Sequence, residues 1–168
     1  MPPRDSMPNG LAAARYNEYI DRMKVYLDTC SLHRPVDNKA ELRVAMESEA
    51  ILGILALAQI QAVTLVSSEV LAFEVDQNPH PQRRAFVSAV LDRAQVEVLL
   101  TDAIEHRAEV LVQRGFKPLD ALHLACAEAE RVDYFCSCDD RLLNKAHEQQ
   151  DLPVKVVSPL ELAKELLR

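Results

Sequence analysis

Glycine occurs only three times in this chain of 168 residues, and tryptophan not at all. Together with a high content of alanine, leucine and glutamate, that scarcity biases the chain toward helix. Long hydrophobic runs are missing too. The longest uninterrupted apolar stretch, Ala50 to Ala58, falls far short of the roughly 20 residues a membrane span needs. The N-terminal MPPRDSMPNGLAAARYNEYIDR lacks the apolar core of a signal peptide, so a cytoplasmic protein with no membrane partner is expected. No Cys-x-x-Cys pair occurs among Cys30, Cys126, Cys136 and Cys138, and reduced thiols are expected. Cys136-Ser137-Cys138 lacks both the spacing and the second ligand pair of a zinc site. Nor is there an excess of positive charge. A net charge of −7 argues against a broad electrostatic grip on nucleic acid. It is also the balance that a pocket collecting carboxylates would produce.

The length suits one domain with its own core, and 49% apolar with 27% charged residues is an ordinary soluble globular profile. Residues 1–22 read as an N-terminal extension, partly flexible or helical, and 23–168 as a single domain. Strands are expected at 24–27, 62–67, 96–100, 134–138 and 154–157. HRPVDN after the first strand reads as a loop. A long helix follows over 40–59, with Leu42, Ala45, Met46, Leu52 and Leu55 on its apolar side. Further helices are expected at 69–76, 82–94 and 102–114, the last ended by Gly115. Another opens at Pro118 and is apolar almost all round, hence central. Ser158-Pro159-Leu160-Glu161 is a capping box that starts a C-terminal helix. Strands alternating with helices imply a three-layer α/β/α domain with a mostly parallel central sheet of about five strands. In such sheets ligands bind at the carboxyl ends of the strands.

Several acids stand where apolar surroundings make them costly. KVYLDTCSL carries a buried-looking strand straight into Asp28, a poor strand residue that is expensive to bury unpaired. Asp139 and Asp140 follow the fourth strand after FCSC. Asp120 lies in the first turn of the most apolar helix, where a helix-dipole role is the plain structural reading. Glu74 follows Val70, Leu71, Ala72 and Phe73 on a short helix, with Glu69 five residues earlier. Carboxylates gathered at one strand edge repel one another unless a cation neutralises them, and oxygen ligands without soft partners suit Mg²⁺ or Mn²⁺.

YLDTCSL, SSEVLAFE, KPLDALHLA and FCSCDDRLL, in this order, resemble the motifs of PIN-domain nucleases. That superfamily includes the VapC-type toxins of bacterial toxin–antitoxin pairs. The resemblance spans about 24–160. It implies a PIN-like fold and metal-dependent hydrolysis of RNA phosphodiesters, with one or two Mg²⁺ or Mn²⁺ ions stabilising in-line attack. Carried over residue by residue, the acidic set falls on Asp28, Glu74, Asp120 and Asp139, with Glu69 and Asp140 as alternates. Thr29 and Ser137 become hydroxyls that orient the ligating carboxylates. Arg34, Arg83, Arg84, Arg141 and Lys145 become candidate RNA contacts. A cognate antitoxin is the partner such a toxin would have; the apolar helix after the first strand could serve a homodimer or a partner helix, although a core role accounts for most of its apolar character. Where Cys30 and Cys138 stand, other small polar residues are common in the family. His123, three residues after Asp120 among apolar neighbours, reads as a core histidine before it reads as a general base, and His33 lies near the site loop.

Other phosphoryl chemistries fit less well. A haloacid-dehalogenase-like phosphatase needs a second aspartate two residues after Asp28, where Cys30 stands. A cysteine phosphatase built on Cys30 needs its arginine later than Arg34. A receiver domain needs a late strand-end lysine that is not evident. The remaining alternative is a catalytically inactive PIN-fold protein that binds RNA or a partner.

Overall fold

The computed structural model describes residues 22–168. The extension expected over 1–22 lies, apart from Arg22, outside the described residues. Five parallel strands form the central sheet: β1 (Lys24–Leu27), β2 (Thr64–Ser68), β3 (Val96–Val98), β4 (Tyr134–Cys136) and β5 (Lys155–Val157). Their order is β3-β2-β1-β4-β5. Val25, Tyr26 and Leu27 are wholly buried, as a central parallel strand covered on both faces requires. Helices flank the sheet in the three-layer arrangement expected from the alternation of elements.

The connections carry α1 (Thr29–His33), α2 (Leu42–Gln59), α3 (Glu69–Asp76), α4 (Pro81–Leu91), α5 (Asp102–Gln113), α6 (Pro118–Ala129), α7 (Asp140–His147) and α8 (Pro159–Leu166). Their ends follow local chemistry. Ser68 caps α3, Thr101 caps α5, and Ser158 with Glu161 closes the capping box of α8. Gly115 ends α5 with φ of +99°, a backbone angle that side chains other than glycine's disfavour. α6 is central as expected, burying Ala121, His123, Leu124, Ala125, Cys126 and Ala127.

Three readings are corrected. The HRPVDN segment is not a plain loop: α1 occupies Thr29–His33 and a 3₁₀ turn occupies Arg34–Val36. The strands expected over 134–138 and 96–100 stop at Cys136 and Val98, and α7 opens at Asp140 after a three-residue connection. On α2 the expected apolar side is largely outside: Leu42 is 75% exposed, Met46 48% and Leu52 39%, with Ala45 and Leu55 half-buried. The buried face is Glu47, Ser48, Ile51, Ile54 and Ala58. α2 is apolar on more than one side, so helical periodicity alone does not choose the face. The face that is buried carries Glu47, paired by Arg34 and Arg43. Among the described residues no helix is long and apolar enough to cross a membrane, and the four cysteines are free thiols.

Candidate functional site

The strand order doubles back at β1, which has β2 on one side and β4 on the other. Ligand crevices in open parallel sheets form at such a reversal, beyond the carboxyl ends of the strands. β1 and β4 pair with Leu27 level with Cys136, so Asp28 and Ser137 leave the sheet side by side.

Asp28 is only 6% exposed. Its side chain caps α1 by accepting from the Ser31 N–H at 2.9 Å, and the Cys30 thiol lies 3.0 and 3.1 Å from its two oxygens. Burial pushes the Asp28 carboxyl well above its usual range, against the opposing pull of the Ser137 hydroxyl and the Ser31 N–H. The Cys30 thiol is itself raised, by its contact with Cys138 and by burial, so it stays protonated and donates.

Glu74, on the last turn of α3, accepts from the Thr29 hydroxyl at 2.5 Å and lies 2.6 Å from His123 Nε2, both on Oε2. Burial works to raise this carboxyl, but the hydrogen bonds from His123 and Thr29 outweigh it and hold it below its ordinary value. Asp120, half-buried in the first turn of α6, is raised by burial and by the charge of Asp139, with Lys117 and His123 opposing. Glu74 adds to the rise, so these three acids share one electrostatic neighbourhood. Asp139 caps α7, accepting from the Arg141 and Leu142 N–H groups, while its own N–H donates to Ser137 Oγ at 3.0 Å.

The alternates lie apart from this set. Glu69 Oε2 accepts the Leu100 N–H at 2.6 Å and so ties α3 to the chain after β3. Asp140 is held by both terminal nitrogens of Arg43 at 2.7 Å. Of the two orienting hydroxyls, Thr29 holds Glu74 and Ser137 holds the Asp139 backbone.

The basic residues are mostly engaged. Arg34 pairs with Glu47 and Asp37, and Arg83 pairs with Asp37. Arg84 donates to the Asn78 carbonyl, and Lys145 pairs with Glu148. Arg141 is exposed and forms no ion pair among the described residues. His33 faces Asn78 at 3.3 Å and is lowered by burial and by the charge of Arg83. Sequence reasoning missed Arg43, Glu47 and Lys117. The i,i+4 spacing of Arg43 and Glu47 was the one signal available for the first two. It also missed that Tyr26 and Ser68 continue inward from His123.

The donor set fits a hard divalent cation. It offers carboxylate oxygens, and among the described residues Asp28, Asp120 and Asp139 have no ion-pair partner, while two of them are raised by burial. Among the described residues no three His, Cys, Asp or Glu side chains stand close enough together to hold a metal ion between them. Mg²⁺ does not need such a group, since it keeps several waters and commonly takes only one or two carboxylates directly.

The family model of the PIN domain matches residues 25–148. No curated protein matches the chain. Among solved structures, a chain of VapBC2 from Rickettsia felis, crystallised bound to a DNA fragment from their promoter, is 14% identical. The match covers 81% of this chain and 98% of that one, with a TM-score of 0.53. PAE2754 from Pyrobaculum aerophilum is 14% identical over 87% of this chain and 98% of that one, with a TM-score of 0.49. VapC20 from Mycobacterium tuberculosis, a sarcin–ricin loop cleaving toxin, is 15% identical over 71% and 93%, also with a TM-score of 0.49.

Proposed function

The chain belongs to the PIN domain family, and from that premise we propose that it is a divalent-metal-dependent ribonuclease that hydrolyses RNA phosphodiester bonds. Two observations support this reading: Asp28 and Ser137 leave adjacent strands side by side past the sheet's reversal point, with Asp139 two residues on, and Asp120 feels the charges of Asp139 and Glu74. Mg²⁺ or Mn²⁺ held by Asp28, Glu74, Asp120 and Asp139 would activate water and neutralise charge on the phosphate.

The protein's own groups do the positioning. The Ser31 N–H and the Cys30 thiol hold Asp28, and the Arg141 and Leu142 N–H groups hold Asp139. Thr29 and His123 hold Glu74. Burial of Asp28 and Asp120 disfavours their charged forms, so their ionised state there calls for a compensating cation, which must displace a proton to bind. Arg141 and Lys117, exposed beside Asp139 and Asp120, are the rim cations for the RNA backbone.

A toxin role within a toxin–antitoxin pair extends this reading. It is supported by the fold shared with the VapBC2 chain. The outward Leu42, Met46 and Leu52 of α2, beside a groove of about 570 Å³ whose lining includes Leu55, Phe86 and Val90, supply apolar surface for an antitoxin or a second copy.

The test is incubation of a panel of structured RNAs with the protein and Mg²⁺ or Mn²⁺. Cleavage is expected with the wild type and is lost in both Asp28→Asn and Asp120→Asn. Cleavage that survives in these variants identifies a contaminant. RNA binding with no metal-dependent cleavage by the wild type would establish the inactive, RNA-binding alternative. Co-purification with the product of a neighbouring small reading frame tests the toxin role separately.

A further inference from the structure

A continuous line of hydrogen bonds runs from the capped start of α3, through the centre of the fold, and back to the end of the same helix. The Tyr26 hydroxyl oxygen lies 2.7 Å from Ser68 Oγ and 2.7 Å from His123 Nδ1. Across the ring, His123 Nε2 meets Glu74 Oε2 at 2.6 Å, and the Thr29 hydroxyl donates to that same oxygen. Ser68 Oγ in turn accepts the Leu71 N–H at 3.1 Å.

The direction of the line follows from its acidic end. An ionised carboxylate only accepts, so Nε2 donates to Glu74. With a singly protonated ring, Nδ1 accepts from the Tyr26 hydroxyl, whose oxygen accepts from Ser68. A single tautomer thus serves every donor and acceptor in the line.

The ring that delivers this bond has little freedom. Tyr26 is wholly buried and stacks on Phe135 with centroids 5.3 Å apart, and it meets His123 edge-on at 5.8 Å. Glu74, by contrast, is a partly exposed side chain with several rotatable bonds on the last turn of a short helix. Two donors on Oε2 select one of its rotamers. Both donors meet Oε2, and no protein hydrogen bond among the described residues reaches Oε1.

We propose that Tyr26 and His123 are positioning residues for the cation site: they pin Glu74 Oε2 so that Oε1 is presented to the divalent ion. This rests on the reading of Glu74 as a ligand. No proton need move along the line. Its action is to remove the rotational freedom that Glu74 would otherwise lose on binding the ion.

The test compares two isosteric halves of the imidazole in the full-length protein. The amide of His123→Gln reaches where Nε2 stands and donates to Glu74. The amide of His123→Asn ends where Nδ1 stands and meets only Tyr26. Mn²⁺ affinity, read by electron paramagnetic resonance of the free ion without RNA, should stay within about threefold of wild type for His123→Gln. It should weaken by about tenfold or more for His123→Asn. Tyr26→Phe, which removes one oxygen, should weaken binding by roughly three- to tenfold, and it serves if His123→Asn does not fold. Equal weakening in His123→Gln and His123→Asn would mean that the histidine only fills the core, and would overturn the proposal. Unchanged affinity in all three, with Glu74→Gln impaired, would overturn it while leaving Glu74 a ligand. Wild-type affinity in Glu74→Gln would remove the underlying reading and the proposal with it.

Discussion

Arg43 grips Asp140 with both terminal nitrogens, each 2.7 Å from a different carboxylate oxygen. Asp140 is thereby committed to a surface ion pair, while Asp139, one residue earlier, caps α7 in the neighbourhood of Asp120. The two adjacent acids, indistinguishable in the sequence, are expected to separate on substitution. Asp140→Ala should keep Mn²⁺ affinity within about threefold, as exposed ion pairs contribute little. Asp139→Ala should lose about tenfold or more and also cost about 1 kcal/mol through the missing cap. Isothermal titration with Mn²⁺ and urea unfolding of both variants check this. The reverse ranking would assign the ligand to Asp140.

Asp28 should make stability depend on pH in a direction opposite to an ordinary surface aspartate. Burial raises its carboxyl, so folding favours the protonated form. Its contribution is fully present below the unfolded value near 4 and is lost as pH rises through the raised native value. In chelator, therefore, Asp28→Asn should gain thermal stability relative to wild type as pH is taken from about 4 to 7, since Asn still caps α1. Mn²⁺ should then stabilise wild type but not the variant. Thermal melts across that range decide it, and a gap that does not change with pH would count against a buried, cation-seeking Asp28.

Glu47 is 1% exposed and accepts from Arg34 Nε at 2.6 Å and from Arg43 Nε at 2.9 Å. Through these two arginines it ties α2 to the turn after α1 and to the start of α7. Breaking a buried pair is costly because a desolvated charge is left behind. Both arginines keep contact with solvent, Arg43 most of all, so the cost falls below the roughly 3–5 kcal/mol of a fully buried pair, and Glu47→Gln should cost about 2–3 kcal/mol. Urea unfolding should show a lower midpoint with an unchanged slope. A loss below about 0.5 kcal/mol would mean that water screens the cluster fully.

The two faces of α2 should respond oppositely to polar or truncating changes. Ile54 is 2% exposed, and Ile54→Ala should cost about 2–5 kcal/mol. Leu42→Gln and Met46→Gln, on the outward face, should stay within about 0.5 kcal/mol in an isolated chain. Chemical denaturation of the three variants is the measurement. Loss of an oligomeric state or of a co-purifying partner in the outward variants would show what that face binds.

The alternation of short β-rich runs with helical stretches was enough to read a parallel α/β domain, because buried parallel strands and capped helices leave local marks. Ser158 with Glu161, Pro118 and Gly115 each act through their own backbone neighbourhood, so they were legible in advance. The four candidate acids could be put forward because each stands out against apolar neighbours within a recognisable motif. Local pattern stops at the choice between near-equivalent residues. Which of Asp139 and Asp140 meets an arginine, and which of Glu69 and Glu74 meets His123, depend on residues from 31 to 97 positions away. Only the folded chain brings those partners within hydrogen-bond distance, and there burial makes each choice costly to reverse. His123 shows the division most plainly. Its apolar neighbours mark it as a core residue, and packing against Tyr26 and Glu74 turns the same buried ring toward the site.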